Sequence, residues 1–232
     1  TEKGVIRTTD GGASWTTVLS SSAGTSYAYV EVARSKQDPN LLYAAQWCEF
    51  SCPAGTDRVM KSVDRGLNWL PTANVGLPGL DGYVNRPGFA MAPSDDQILY
   101  ISMNTDEGTD TQAPTSAIFR SDDGGESWTA TADPTPYFGF QAWYDNTITV
   151  HPTDPDIVVA GGVYYVRTED GGTSWTVRNP YRSGGGMGTA TLPHVDAHDL
   201  QWQGTTLWLA CDGGVWFSED NGQTWTGRNE GV

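Results

Sequence analysis

Cysteine is nearly missing from this 232-residue sequence, with three residues, and histidine is equally scarce. So few thiols exclude a scaffold stapled by several disulfides. Cys48 and Cys52, in WCEFSCPAG, are close enough in sequence for a loop disulfide, which would mark an oxidising compartment; free thiols are the alternative. Cys211, in LWLACDGG, alternates with Leu207 and Leu209 and reads as a buried strand residue. Basic residues are also short: 13 Lys and Arg against 28 Asp and Glu leave a net charge of −15. That balance argues against nucleic acid or an anionic membrane as partner, since both call for basic patches. The longest apolar run, IVVAGGVYYV at 157–166, has the length of a strand, so no transmembrane segment is expected. Long helical periodicity, P-loop, HExxH and G-x-S-x-G patterns are all absent. The chain starts at Thr1 with neither a methionine nor a signal peptide, which points to a processed or truncated N-terminus. Acidity, few lysines and no N-x-Ser/Thr sequon fit an extracellular or cell-surface protein.

Glycine, by contrast, is abundant at 28 residues, and much of it falls in one repeated phrase. RTTDGGASWT, KSVDRGLNWL, RSDDGGESWT, RTEDGGTSWT and FSEDNGQTWT share the pattern Ser/Thr-x-Asp-x-Gly-x-(Ser/Thr/Asn)-Trp. Their aspartates, Asp10, Asp64, Asp123, Asp170 and Asp220, are 54, 59, 47 and 50 residues apart. A period near 50 marks a repeat architecture. A group needed once per repeat is a structural device rather than a catalyst. Gly supplies the positive φ of a tight turn, and Asp with the preceding hydroxyl accepts backbone N–H groups there. The closing Trp15, Trp69, Trp128, Trp175 and Trp225 offer large apolar areas that fix each hairpin on its neighbour.

These five phrases resemble the Asp-box, or bacterial neuraminidase, repeats of sialidases, sortilin-type receptor ectodomains and xyloglucanase-type glycoside hydrolases. The resemblance implies a β-propeller with a box between the third and fourth strands of each blade. It also implies that the box is structural and lies away from any active site. Sialidases present three arginines to the substrate carboxylate; here Arg7, Arg120 and Arg167, like Lys61, precede boxes as part of the repeat, so that activity is not expected. A xyloglucanase-type site takes its two aspartates from two facing propellers, of which this chain holds at most part of one.

Between boxes the parts recur in one order: an alternating apolar strand, a short polar turn, a second strand, and a third running into the box. The expected fold is all-β, with four-stranded antiparallel blades over 26–72, 83–131, 144–178 and 194–228 and a half blade over 1–20, within one propeller segment 1–232. Four blades and a half leave strands missing, so the segment is expected to belong to a larger propeller or to be completed by a partner chain. The long insertions, 47–57, 103–116, 130–143 and 176–193, all fall on the face holding the second-to-third and blade-to-blade loops. Binding residues gather on loops held by a rigid scaffold, which makes that the working face.

Three groups of residues on it carry chemistry. His194, Asp196 and His198 in PHVDAHDL alternate, so an extended strand points all three the same way, fit for a divalent metal; the alternative is a polar cluster that seals the axial channel. Trp47, Trp143 and Tyr144, with Tyr137, Phe138 and Phe140 nearby, suit stacking against sugar faces, or else pack the loops down. Carboxylates are plentiful: Glu49, Asp81, Asp106, Glu107, Asp110, Asp133, Asp145 and Asp196; glycoside hydrolysis would draw its pair from Asp145, Asp196 and the 104–110 loop, and sequence alone does not choose it. NTDEGTD at 104–110 reads as a solvated acidic loop without EF-hand spacing. The composite expectation is a binding or assembly module for polysaccharide or an extracellular protein, requiring no cofactor. A glycoside hydrolase and a structural protein pairing through open blade edges are the rivals.

Overall fold

The computed structural model describes residues 4–20, 27–48, 59–78, 86–104, 115–134, 137–178 and 192–229. These contain eighteen strands and no helix. β1 (Gly4–Arg7) and β2 (Thr16–Ser20) form a two-stranded sheet. Four four-stranded sheets follow. They comprise β3 (Tyr27–Arg34), β4 (Leu42–Cys48), β5 (Val59–Ser62) and β6 (Leu70–Pro71); then β7 (Gly88–Met91), β8 (Leu99–Asn104), β9 (Ser116–Ser121) and β10 (Thr129–Ala130). The last two are β11 (Thr147–Val150), β12 (Val158–Gly161), β13 (Tyr165–Thr168) and β14 (Thr176–Arg178), and β15 (Ala197–Gln203), β16 (Thr206–Cys211), β17 (Gly214–Ser218) and β18 (Thr226–Gly227). Each sheet is an antiparallel meander in sequence order, which is a propeller blade. The first strands β3, β7, β11 and β15 stand side by side around a channel of about 530 Å³, walled by Ala33, Phe89, Ile148 and Leu200.

The boxes build the outer hairpins by one hydrogen-bond pattern. The hydroxyl two residues before each Asp donates to the carboxylate at 2.7–2.8 Å and accepts the amide of the Gly four residues on. The same carboxylate accepts the amide four residues downstream at 2.8–2.9 Å, and that residue's side chain donates to it as well. The turn needs two left-handed residues in succession, φ 68° and 92° at Gly171 and Gly172; Arg65 and Asn221 hold the first position in their boxes at φ 64° and 59°. Charge-assisted bonds of this kind favour the ionised carboxylate. The Asn68 amide holds Asp64 at about 2, and the Ser174 hydroxyl does the same for Asp170. The Ser14 and Ser127 hydroxyls pull Asp10 and Asp123 below the usual carboxylate range. At Asp220 burial pushes upward, but the Thr224 amide and hydroxyl outweigh it.

The blades are joined through the same boxes. Trp128 shares a buried cluster with Leu41 and Tyr43 of the preceding blade, and Trp225 shares one with Val159 and Tyr165 of its own predecessor, its ring centroid 6.3 Å from that of Tyr165. The Trp175 indole donates to Thr131 Oγ1 across the corresponding seam. Basic residues preceding the boxes reach forward: Arg7 Nε donates to Arg65 O, Arg120 pairs with Asp156, and Arg167 Nε donates to Asn221 O. Those arginines are therefore spent on blade-to-blade contacts. Box turns and first-to-second turns share one face, where Arg65, Gly124 and Gly171 donate amides to Asn40, Gln97 and Asp156 carbonyls. The opposite face is left for the strand ends and loops that hold the candidate site.

Two outcomes follow for stability. Trp128 is 5% exposed and Trp15 is 56% exposed, so Trp128→Ala costs about 3–5 kcal/mol in thermal unfolding while Trp15→Ala costs under about 1 kcal/mol. Box carboxylates hold folded pKa values below the 3.8 of the free side chain. As pH falls from about 4 towards 2 the unfolded chain takes up these protons first, so stability drops through that window. Urea unfolding at pH 5, 4, 3 and 2.5 reads this slope, and Asp170→Asn makes it shallower.

Candidate functional site

At the working-face end of the axial channel, the segment from Tyr137 to Asn146 folds down as a compact turn. Tyr137 and Phe138 are fully buried and anchor it, and Tyr164 donates its amide to Tyr137 O. Gly162 permits the approach, because a Cβ there would meet Phe138 Cδ1 at 2.8 Å. Amides of Tyr144 and Asp145 both donate to Gln141 O at 2.8 Å, closing the turn. This puts Trp143 and Tyr144 on the outside, 54% and 51% exposed, with ring centroids 5.4 Å apart. Tyr144 also meets the His198 ring edge-on at 5.2 Å. An adjacent cleft of about 200 Å³ is lined by Glu31, Arg86, Asn146, His198 and Asp199. Arg86 pairs with Glu31 at 3.1 Å and donates to Tyr144 O, while Asn146 donates to the carbonyls of Arg86 and Ser102.

Behind the aromatics stands a cluster of carboxylates and imidazoles. Asp145 is fully buried, and neither of its oxygens has a hydrogen-bond partner among the described residues. His198 Nδ1 approaches it at 3.5 Å, and His198 Nε2 lies 2.7 Å from Asp212 Oδ1. Burial raises Asp145 to about 7, and the neighbouring carboxylate of Asp196 pushes the same way against His198. Asp196 is raised as well, by burial first and then by Asp212. Glu31 is raised by burial in spite of Arg86. Carboxylates held this close resist ionising together. Asp196 stands near enough to Asp145 for its charge to raise that carboxyl, while the His198 ring lies between Asp145 and Asp212.

The alternation expected of His194, Asp196 and His198 does not hold. β15 begins only at Ala197, Asp196 takes a left-handed φ of 66°, and the ladder slips between Ala197 and Asp199. The kink sends His198 to Asp145 and Asp212. His194, Asp196 and Asp212 converge instead, with one donor atom from each within 4.8 Å of the others. Asp212, from the turn between β16 and β17, and the Arg86–Glu31 pair were not singled out by sequence; the Asp-Gly-Gly after a strand was the available signal for the first. Trp47 pairs through its backbone with Ala28, while its side chain lies outside the described residues. Glu49, Cys52, Asp81 and the 105–110 part of the acidic loop lie outside them too, and with Cys52 the expected disulfide. Asp133 is exposed, and Cys211 is buried as expected.

Comparison with known proteins bears on the fold. The BNR/Asp-box repeat model matches residues 119–130. A probable oligoxyloglucan-reducing end-specific xyloglucanase of Neosartorya fischeri is 24% identical over 199 residues, 82% of this chain and 23% of that protein. The GH74 xyloglucanase of Xanthomonas campestris superposes with a TM-score of 0.60 at 15% identity, over 90% of this chain and 32% of its own. YCF48 from Cyanidioschyzon merolae gives 0.55 at 14% identity, over 88% and 57%. The chain thus carries Asp-box repeats on a β-propeller and spans about a quarter of its curated relative.

The raised Asp145 yields a signed expectation. Between about pH 4 and 7 the folded chain keeps a proton that the unfolded chain has released, so the contribution of Asp145 to stability falls as pH rises. Asp145→Asn removes that slope, and the melting temperature of the variant relative to the parent is higher at pH 8 than at pH 5.

Proposed function

We propose that this propeller binds carbohydrate on its long-loop face, with Trp143 and Tyr144 as the stacking surface. The observation that carries the reading is the exposure of two large rings on a turn whose backbone is tied down. Half-exposed aromatics normally cost ordering entropy on binding, and a turn fixed by buried Tyr137 and Phe138 has met that cost beforehand. Sugar faces stack on such rings, and the nearby groups Arg86, Asn146, His198 and Asp199 offer hydrogen bonds to hydroxyls. The likeness to xyloglucanase propellers supports a neutral plant-type glucan as the first ligand to test. An extracellular or cell-surface location fits that ligand and the net charge of −15.

A hydrolytic reading draws on Asp145, whose pKa near 7 suits a general acid. Of its neighbours, Asp196 is itself raised by burial and Asp212 lies across the His198 ring, so no acid–base pair is assigned. Binding needs only the exposed rings and is the stronger reading.

Affinity electrophoresis against xyloglucan, mixed-linkage β-glucan and an acidic polysaccharide tests it, with reducing ends assayed on the same samples. Retardation by a neutral glucan, weakened several-fold and up to about tenfold by Trp143→Ala, is expected, since a stacked ring contributes roughly 0.5–1.5 kcal/mol. New reducing ends abolished by Asp145→Asn would move the assignment to a hydrolase. No retardation by any polymer together with no new reducing ends would overturn both sugar readings.

A further inference from the structure

We propose that His194, Asp196 and Asp212 hold a first-row divalent transition ion, of the zinc or manganese type, at the axial mouth of the propeller. Their donor atoms already lie within 4.8 Å of one another, although they come from two separate segments, the entry to β15 and the β16–β17 turn. Ligands of one such ion sit about 3–4 Å apart, so a closure of about an ångström completes the set. The half-exposed Asp212 supplies that movement most readily.

The surroundings are arranged for the ion rather than for the apolar packing of a structural plug. Gly213 lets the turn reach His194, where any Cβ would overlap that residue's own Cβ. The Tyr165 hydroxyl donates to His194 O and fixes the backbone from below. His194 Nδ1 lies 3.3 Å from Val195 O, and as an N–H donor to it leaves Nε2 with a free lone pair. Asp196 is held at a left-handed φ of 66°, a strained conformation of the kind that collects at ligand clamps.

The independent pointer is Asp145. It is fully buried beside Asp196, with both oxygens lacking a hydrogen bond among the described residues. A carboxylate in that position is costly without a countercharge. Three carboxylates gather here, with the imidazoles of His194 and His198 beside them. A divalent ion on Asp196 and Asp212 supplies the missing charge. His198, bonded to Asp212 and facing Asp145, then orients a ligand from behind, as outer groups do in metal sites. An imidazole donor favours transition ions over calcium or magnesium, which take oxygen.

The test uses the full chain stripped with chelator, without any saccharide, so that its failure and that of the sugar reading remain separate. Titration calorimetry with Zn²⁺ is expected to give one equivalent at micromolar affinity or tighter, and Co²⁺ to give visible bands that Zn²⁺ displaces. His194→Gln and Asp212→Asn, each checked for folding by circular dichroism, weaken Zn²⁺ by about a hundredfold, and Asp145→Asn by about tenfold. If one variant fails to fold, the other decides. No heat with Zn²⁺ and no Co²⁺ bands would overturn the proposal. Uptake that the folded variants leave unchanged, or a preference for Ca²⁺ over Zn²⁺, would overturn it equally.

Discussion

The carboxylate of each box, accepting an amide four residues downstream, is the interaction on which the other parts rest. It closes a turn with two consecutive left-handed residues, and that turn sets where the box tryptophan and the preceding basic side chain point. Those two side chains make the seams: the ring packs back onto the preceding blade while the arginine reaches forward to the next turn. A single local device therefore builds the hairpin and spaces the blades. Its repetition also explains why the first box tryptophan is exposed, since no preceding blade among the described residues covers Trp15.

Committing one face to these turns leaves the other free to depart from the repeat. The departures there work against stability. Asp145 is buried without a hydrogen bond among the described residues, Asp196 occupies a left-handed conformation, and Asp145, Asp196 and Asp212 crowd together. Strain and unmatched charge persist only when the surrounding scaffold over-determines them, and they collect where a ligand completes the arrangement. The aromatic pair beside the cluster repeats the theme, with apolar rings held in water by a buried anchor.

Sequence reasoning reached the fold because the box is local: its hydroxyl, carboxylate and glycine are within four residues, so spacing alone reports the contact. The site was only partly legible because its contacts are not local. Asp212 joins His194 and Asp196 across the β15–β16 hairpin, and Asp145 arrives from the preceding blade. Strict alternation also misled at Asp196, where a left-handed residue breaks the period of two and redirects His198. The arginines before the boxes were read correctly as part of the repeat, but their role as forward ties depends on blade spacing, which no single repeat reveals.

The two proposals share one location and separate chemistries, a stacking surface outside and an ion-holding cluster beneath. The central claim is that ligand meets the chain at Trp143 and Tyr144 and not at the boxes. The most direct measurement is NMR of the tryptophan indole N–H resonances while a xyloglucan oligosaccharide is added. The account predicts that the Trp143 signal shifts on titration while those of Trp69, Trp128, Trp175 and Trp225 stay in place. Movement of the box tryptophans with Trp143 unaffected would contradict it.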